Sequence, residues 1–105
     1  MRKNAPVARI SILTYDYVED IVERRTPHRE AHLAHVAMWS AQRGLTLGGA
    51  TGDPPTGALF VFEADAAEVE AFVAADPYGE AGLVAGSRIE AWNVVAHRPF
   101  DEPLG

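Results

Sequence analysis

Residues 57–77, GALFVFEADAAEVEAFVAADP, change their pattern midway, and that change decides the fold. Residues 57–64 form an apolar and aromatic run interrupted only by Glu63, the pattern of a well-buried strand. From Asp65 the spacing turns helical, with Val69, Phe72 and Val73 on one face. Asp65 suits the N-cap, and Glu68 three residues on completes a capping box. Pro77 stops the helix, because the residue before a proline disfavours helical geometry.

Working outward, Gly52-Asp53-Pro54-Pro55 is a turn, so the short glycine-bearing run at 45–50 pairs with 57–64 as a hairpin. Ahead of the hairpin, Thr26 is placed as an N-cap, Pro27 at the first helical position and Glu30 in the first turn. Leu33, Val36, Ala37, Ser40 and Ala41 then repeat at helical spacing, and Gly44 closes the helix, with Arg43 in its last turn. Residues 19–26 read as a polar connector. Residues 8–18, ARISILTYDYV, read as the first strand, with Ile10, Ile12 and Thr14 on one face and Ser11, Leu13 and Tyr15 on the other. Past Pro77, residues 79–82 make a connector or a short turn of helix, 88–96 the last strand, and 98–105 a loose tail.

The order β-α-β-β-α-β is an α+β, ferredoxin-like arrangement: a four-stranded antiparallel sheet with both helices on one face. One domain spans 1–105, since the length holds a single core. Leu13, Tyr15, Phe60, Phe62 and Trp92 are expected not all to fit on the helix side. The bare sheet face therefore calls for a second subunit, and a homodimer packed sheet to sheet is the expectation.

Composition narrows the function. The net charge of −6 and the lack of a Lys/Arg run speak against nucleic acid. The chain has no cysteine, which excludes disulfides, thiol nucleophiles and thiolate metal sites. No apolar run has the length of a membrane span, and residues 1–8 do not lead into a signal-peptide core. A cytoplasmic location is the expectation. The glycines at 48–52 lead into a hairpin turn, not a helix, so they make no phosphate loop.

Three segments resemble the YCII-related family of dimeric α+β barrels. Residues 25–33, RTPHREAHL, are similar to its R-x-x-H-L helix signature. Asp76-Pro77-Tyr78, followed by Ala81-Gly82-Leu83, is similar to its D-P-Y/F segment. Residues 88–95, RIEAWNVV, look like its final strand. The resemblance implies a dimeric α+β barrel and an active site centred on a histidine and an aspartate, which fall here on His32 and Asp76. Some relatives remove chloride from chlorinated hydroxyquinones.

A carboxylate accepting one imidazole N–H fixes the tautomer and raises the basicity of the other nitrogen. That pair suits proton abstraction beside a carbonyl or hydroxyl. The residues alone also allow a plainer reading, in which Asp76 caps its turn and His32 is a half-buried structural histidine. Helical counting sets His32 about 90° from the centre of the apolar stripe, at ~100° per residue. The same counting brings Arg29 near the stripe, where a cation needs an acid partner or an anionic ligand. Tyr78 and Tyr15 are candidates to line the pocket. His28, His32 and His35 share a side of one helix, but three ligands from one straight helix rarely converge, so no metal and no cofactor is expected. The expected activity is a cofactor-free lyase or isomerase for a small cyclic or aromatic hydroxylated molecule. The alternative is a non-catalytic small-molecule binding or accessory protein.

Overall fold

The computed structural model describes residues 9–104. Strand β1 (Ser11–Tyr17) is followed by a short helix α1 (Ile21–Arg24), a 3-10 turn (Thr26–His28) and the long helix α2 (Arg29–Gln42). The hairpin β2 (Leu45–Thr51) and β3 (Gly57–Phe62) leads to α3 (Ala66–Ala75), the single-turn α4 (Pro77–Glu80) and β4 (Val84–Ala91). The sheet is antiparallel in the order β2-β3-β1-β4, the ferredoxin-like order read from the sequence.

Local chemistry explains most of the boundaries. The Asp65 side chain accepts from the Glu68 N–H at 3.2 Å and caps α3. The Glu68 carboxylate does not reach back; it pairs with Arg43 at 3.1 Å, so half of the expected capping box forms. Gly44 leaves α2 at φ +87°, and a Cβ there would also meet the Glu63 carbonyl oxygen at 2.7 Å. Both facts require glycine at the exit.

Several expectations are corrected. The supposed connector at 19–26 contains α1, whose Ile21 is buried with Tyr78 and Leu83. Thr26 is no N-cap: its hydroxyl donates back to the Val22 carbonyl, and α2 starts at Arg29 without a side-chain cap. The last strand runs over Val84–Ala91 and not 88–96, while the short turn of helix allowed at 79–82 is present as α4, beginning at Pro77. Residue 8, the first of the expected β1 run, and residues 1–7 lie outside the described residues.

The largest correction concerns faces. Four of the five large residues, Leu13, Tyr15, Phe60 and Phe62, fit on the helix side, in one cluster with Trp39, Val69 and Phe72, and only Trp92 is left outside, 46% exposed. Register makes this possible: Leu13 pairs with Phe60, Tyr15 with Ala58 and Ser11 with Phe62, so large side chains meet small ones across two of the three pairs. Gly48 opposite Phe60 supplies further room, since a Cβ there would lie 2.6 Å from the Phe60 ring. The outer sheet face instead carries Ile12, Leu47, Leu59 and Val61.

Helix α2 is also rotated from its expected setting. Its buried residues are His32 and Trp39, with His35 and Val36 partly buried, while Leu33 is 47% exposed and Ala37, Ser40 and Ala41 face outward. Polar side chains occupy the inner face because each finds a partner there. His32 meets Asp76, and His35 Nε2–H donates to the Phe72 carbonyl at 2.9 Å. The exposed Arg43 guanidinium covers Trp39 from the solvent side, 3.9 Å from its ring.

Candidate functional site

The rotation of α2 carries His32 to the centre of its inner face, not to the edge, and leaves it 6% exposed. Asp76 stands where α3 hands over to α4. The proline at 77 keeps it extended, at φ −71° and ψ 122°, so its side chain turns inward at the helix junction. The two groups meet there, with His32 Nδ1 2.8 Å from Asp76 Oδ1.

Asp76 is fully buried, and a carboxylate so placed needs partners for both oxygens. Oδ1 accepts from His32 and from the Tyr78 backbone N–H at 3.0 Å, while Oδ2 accepts from the Tyr15 hydroxyl at 2.8 Å. Burial pushes the Asp76 pKa up. The hydrogen bonds and charge of His32, the Tyr78 N–H and the Tyr15 hydroxyl outweigh it and hold the carboxyl below its ordinary value. An ionised carboxylate only accepts, so the ring proton of neutral His32 belongs on Nδ1. Nε2 is left with a lone pair and makes no hydrogen bond among the described residues.

Aromatic rings fix the imidazole. Tyr78 stacks flat on His32, with centroids 3.8 Å apart and planes 3° from parallel. Phe60 meets it edge-on at 6.5 Å. The Tyr78 hydroxyl is buried and has no partner among the described residues. Such an oxygen costs stability unless water or a ligand reaches it.

The expected site residues thus divide. His32, Asp76, Tyr78 and Tyr15 come together. Tyr15 does so as a support for Asp76, its phenol kept neutral by burial and by the neighbouring carboxylate. Arg29 is exposed and needs no acid partner, which corrects the expectation that it lies near the apolar stripe. His28 and His35 do not join His32, since His35 is committed to the Phe72 carbonyl. Among the described residues no group of three or more His, Cys, Asp or Glu side chains is arranged to hold a metal.

Tyr17 belongs here and was missed. Its half-buried ring lies 6.0 Å from Tyr15 and 5.9 Å edge-on from Tyr78. Burial, then Asp76 and Tyr78, push its phenol up, partly offset by Arg25 and Arg29. The signal was in the sequence: residues 15 and 17 share a strand face.

The YCII-related domain model matches residues 8–93. The chain belongs to the YCII-related family. Among solved relatives of this YCII-related chain is 5-chloro-2-hydroxyhydroquinone dehydrochlorinase from Burkholderia phenoliruptrix, solved with 2,5-dihydroxybenzoquinone. It is 28% identical, with a TM-score of 0.68 over 80% of this chain and 93% of that one. A protein of unknown function from Nitrosomonas europaea shares the fold at 18% identity and a TM-score of 0.52, over 92% and 96% of the two chains. So does an antibiotic biosynthesis monooxygenase, so described, from Bacteroides thetaiotaomicron, at 9% and 0.54, over 90% and 95%. No curated protein matches the sequence. Among the described residues no helix is long and apolar enough to cross a membrane.

Proposed function

We propose that this YCII-related protein is a cofactor-free lyase or isomerase that moves a proton on a small cyclic or aromatic hydroxylated molecule. The observation that carries the reading is the Nδ1 contact of His32 with a fully buried Asp76. It gives Nε2 the lone pair of a general base, and the imidazolium formed on protonation would be stabilised by the carboxylate. Tyr15 and the Tyr78 N–H hold Asp76, so they are positioning groups. The Tyr78 hydroxyl and Arg29 are the proposed substrate contacts, with the exposed Arg29 placed to attract an anion at the surface.

The similarity to the dehydrochlorinase favours elimination of hydrogen chloride from a chlorinated hydroxyquinol. In that step a hydroxyl proton first moves to the chlorine-bearing ring carbon to give the keto tautomer; Nε2 then takes the proton of a second hydroxyl, a carbon–oxygen double bond forms, and chloride leaves that carbon with the carbon–chlorine electron pair. The protein would work as a homodimer paired through the outer sheet face, where Leu59 and Leu47 are exposed.

The test is chloride release from 5-chloro-2-hydroxyhydroquinone, followed with an ion-selective electrode. Wild type should release chloride faster than the spontaneous rate, and His32→Ala should lose about 10²–10⁴-fold. Equal release by both contradicts the role of His32. The buried Tyr78 hydroxyl, which lacks a partner among the described residues, favours a second reading, in which the protein holds a ligand there without turnover. Saturable binding of 2,5-dihydroxybenzoquinone with no turnover of any chlorinated hydroxyquinol would select it.

A further inference from the structure

Strand β4 ends at Ala91, and the Trp92 N–H still donates to the Ile10 carbonyl at 2.9 Å. From there residues 93–104 run as an arm without helix or strand. Every residue from 92 to 104 is exposed, and the arm is not polar: Val95 is 96% exposed, Phe100 63% and Leu104 61%. A free arm of this composition holds apolar surface in water for no gain on its own subunit.

The same chain carries a groove that matches it. Between the base of the arm and the outer sheet face lies a cavity of about 650 Å³, lined by Ile10, Val61, Trp92 and Val94, with Glu63 and His97 at polar positions. The groove is on the sheet face opposite His32 and Asp76, so the proposed chemistry does not use it. It adjoins Leu47 and Leu59, the other exposed apolar residues of that face. The arm's base forms one wall, while its distal part stays exposed and is folded by an Arg98–Asp101 ion pair of 2.9 Å.

We infer that residues 99–104 of one copy occupy the groove of a second copy, with Phe100 as the anchor. In a two-fold pair each copy offers the same arm and the same groove, so one exchange buries both exposed features twice. An aromatic anchor entering an apolar pocket is the kind of contact that dominates a subunit interface. The inference rests on the dimer proposed above and names the segment that holds it together.

The absence of cysteine makes the test clean, because only introduced thiols can cross-link. Chains carrying Phe100→Cys and chains carrying Val61→Cys are mixed and oxidised mildly. The expected product is a covalent pair containing one chain of each kind, formed well above a control in which the second thiol replaces exposed Gln42. A doubly substituted chain that closes on itself at high dilution would show the arm folding back, and would overturn the exchange. Sedimentation of wild type, Phe100→Ser and a chain lacking residues 98–105 completes the test. The shortened chain should keep its circular dichroism spectrum, because the arm packs on no core residue, and both variants should dissociate at least about tenfold more readily. A shortened chain that dimerises as tightly as wild type overturns the arm exchange and leaves the sheet-face dimer standing. A monomeric wild type overturns both.

Discussion

The two faces of the sheet handle the same problem in opposite ways. On the helix side, Leu13, Phe60, Phe62, Phe72 and Trp39 close a core around a carboxylate with three donors. On the outer side, Leu59, Leu47 and Trp92 face water, and the arm beyond Ala91 adds Val95 and Phe100. One face is closed within a single chain; the other is left open, and the proposed partner would cover it. The difference teaches where each proposed property would reside: the core and the proposed acid–base chemistry on the inner face, the proposed association on the outer one.

Replacing Asp76 with Ala should break the comparison hardest. It strands the Tyr15 hydroxyl, His32 Nδ1 and the Tyr78 N–H in a dry interior, and urea unfolding should show a loss of about 3–5 kcal/mol. Tyr15→Phe removes one donor to an ionised acceptor and should cost about 1.5–3 kcal/mol by the same measurement.

Acid should act through the same carboxyl. The folded Asp76 pKa lies below its unfolded value of about 3.9, so its contribution is complete above that pH and is lost as pH falls through the folded value. Urea midpoints measured from about pH 5 downward should fall with a slope that Asp76→Asn lessens. An unchanged slope would mean that the carboxyl is not held ionised.

The smallest effect on unfolding should come from the outer face. Leu59→Ser should change the stability of the single chain by no more than about 0.5 kcal/mol, while raising the dimer dissociation constant about tenfold in sedimentation. A large loss of single-chain stability would show that this face belongs to the monomer core.

The same comparison marks what the sequence made legible. Element order, the hairpin turn and the Asp65 cap follow from local chemistry, and the structure keeps them. The inner face of α2 did not follow. Leu33, Ala37 and Ala41 look like a core stripe, yet His32, His35 and Trp39 lie inside because Asp76, the Phe72 carbonyl and the Phe72 ring await them from α3 and its end. Burial of a polar residue depends on a partner about forty positions away, and helical counting cannot see that partner. The faces of β1 were equally open, because Ile10 and Ile12 on one side and Leu13 and Tyr15 on the other are all apolar. Only pairing with Phe60 and Phe62 decides which set goes inside. His32 and Asp76 were named together through the family pattern, while Tyr17, in no motif, required the strand period to find it.

The central claim is that buried Asp76 fixes the tautomer of His32 and leaves Nε2 as the base. Nitrogen-15 NMR of labelled protein, at a pH where the ring is neutral, reads this directly. The account predicts that His32 carries its proton on Nδ1, and that Asp76→Asn changes the tautomer balance. A His32 ring protonated on Nε2 in the wild-type protein would contradict it.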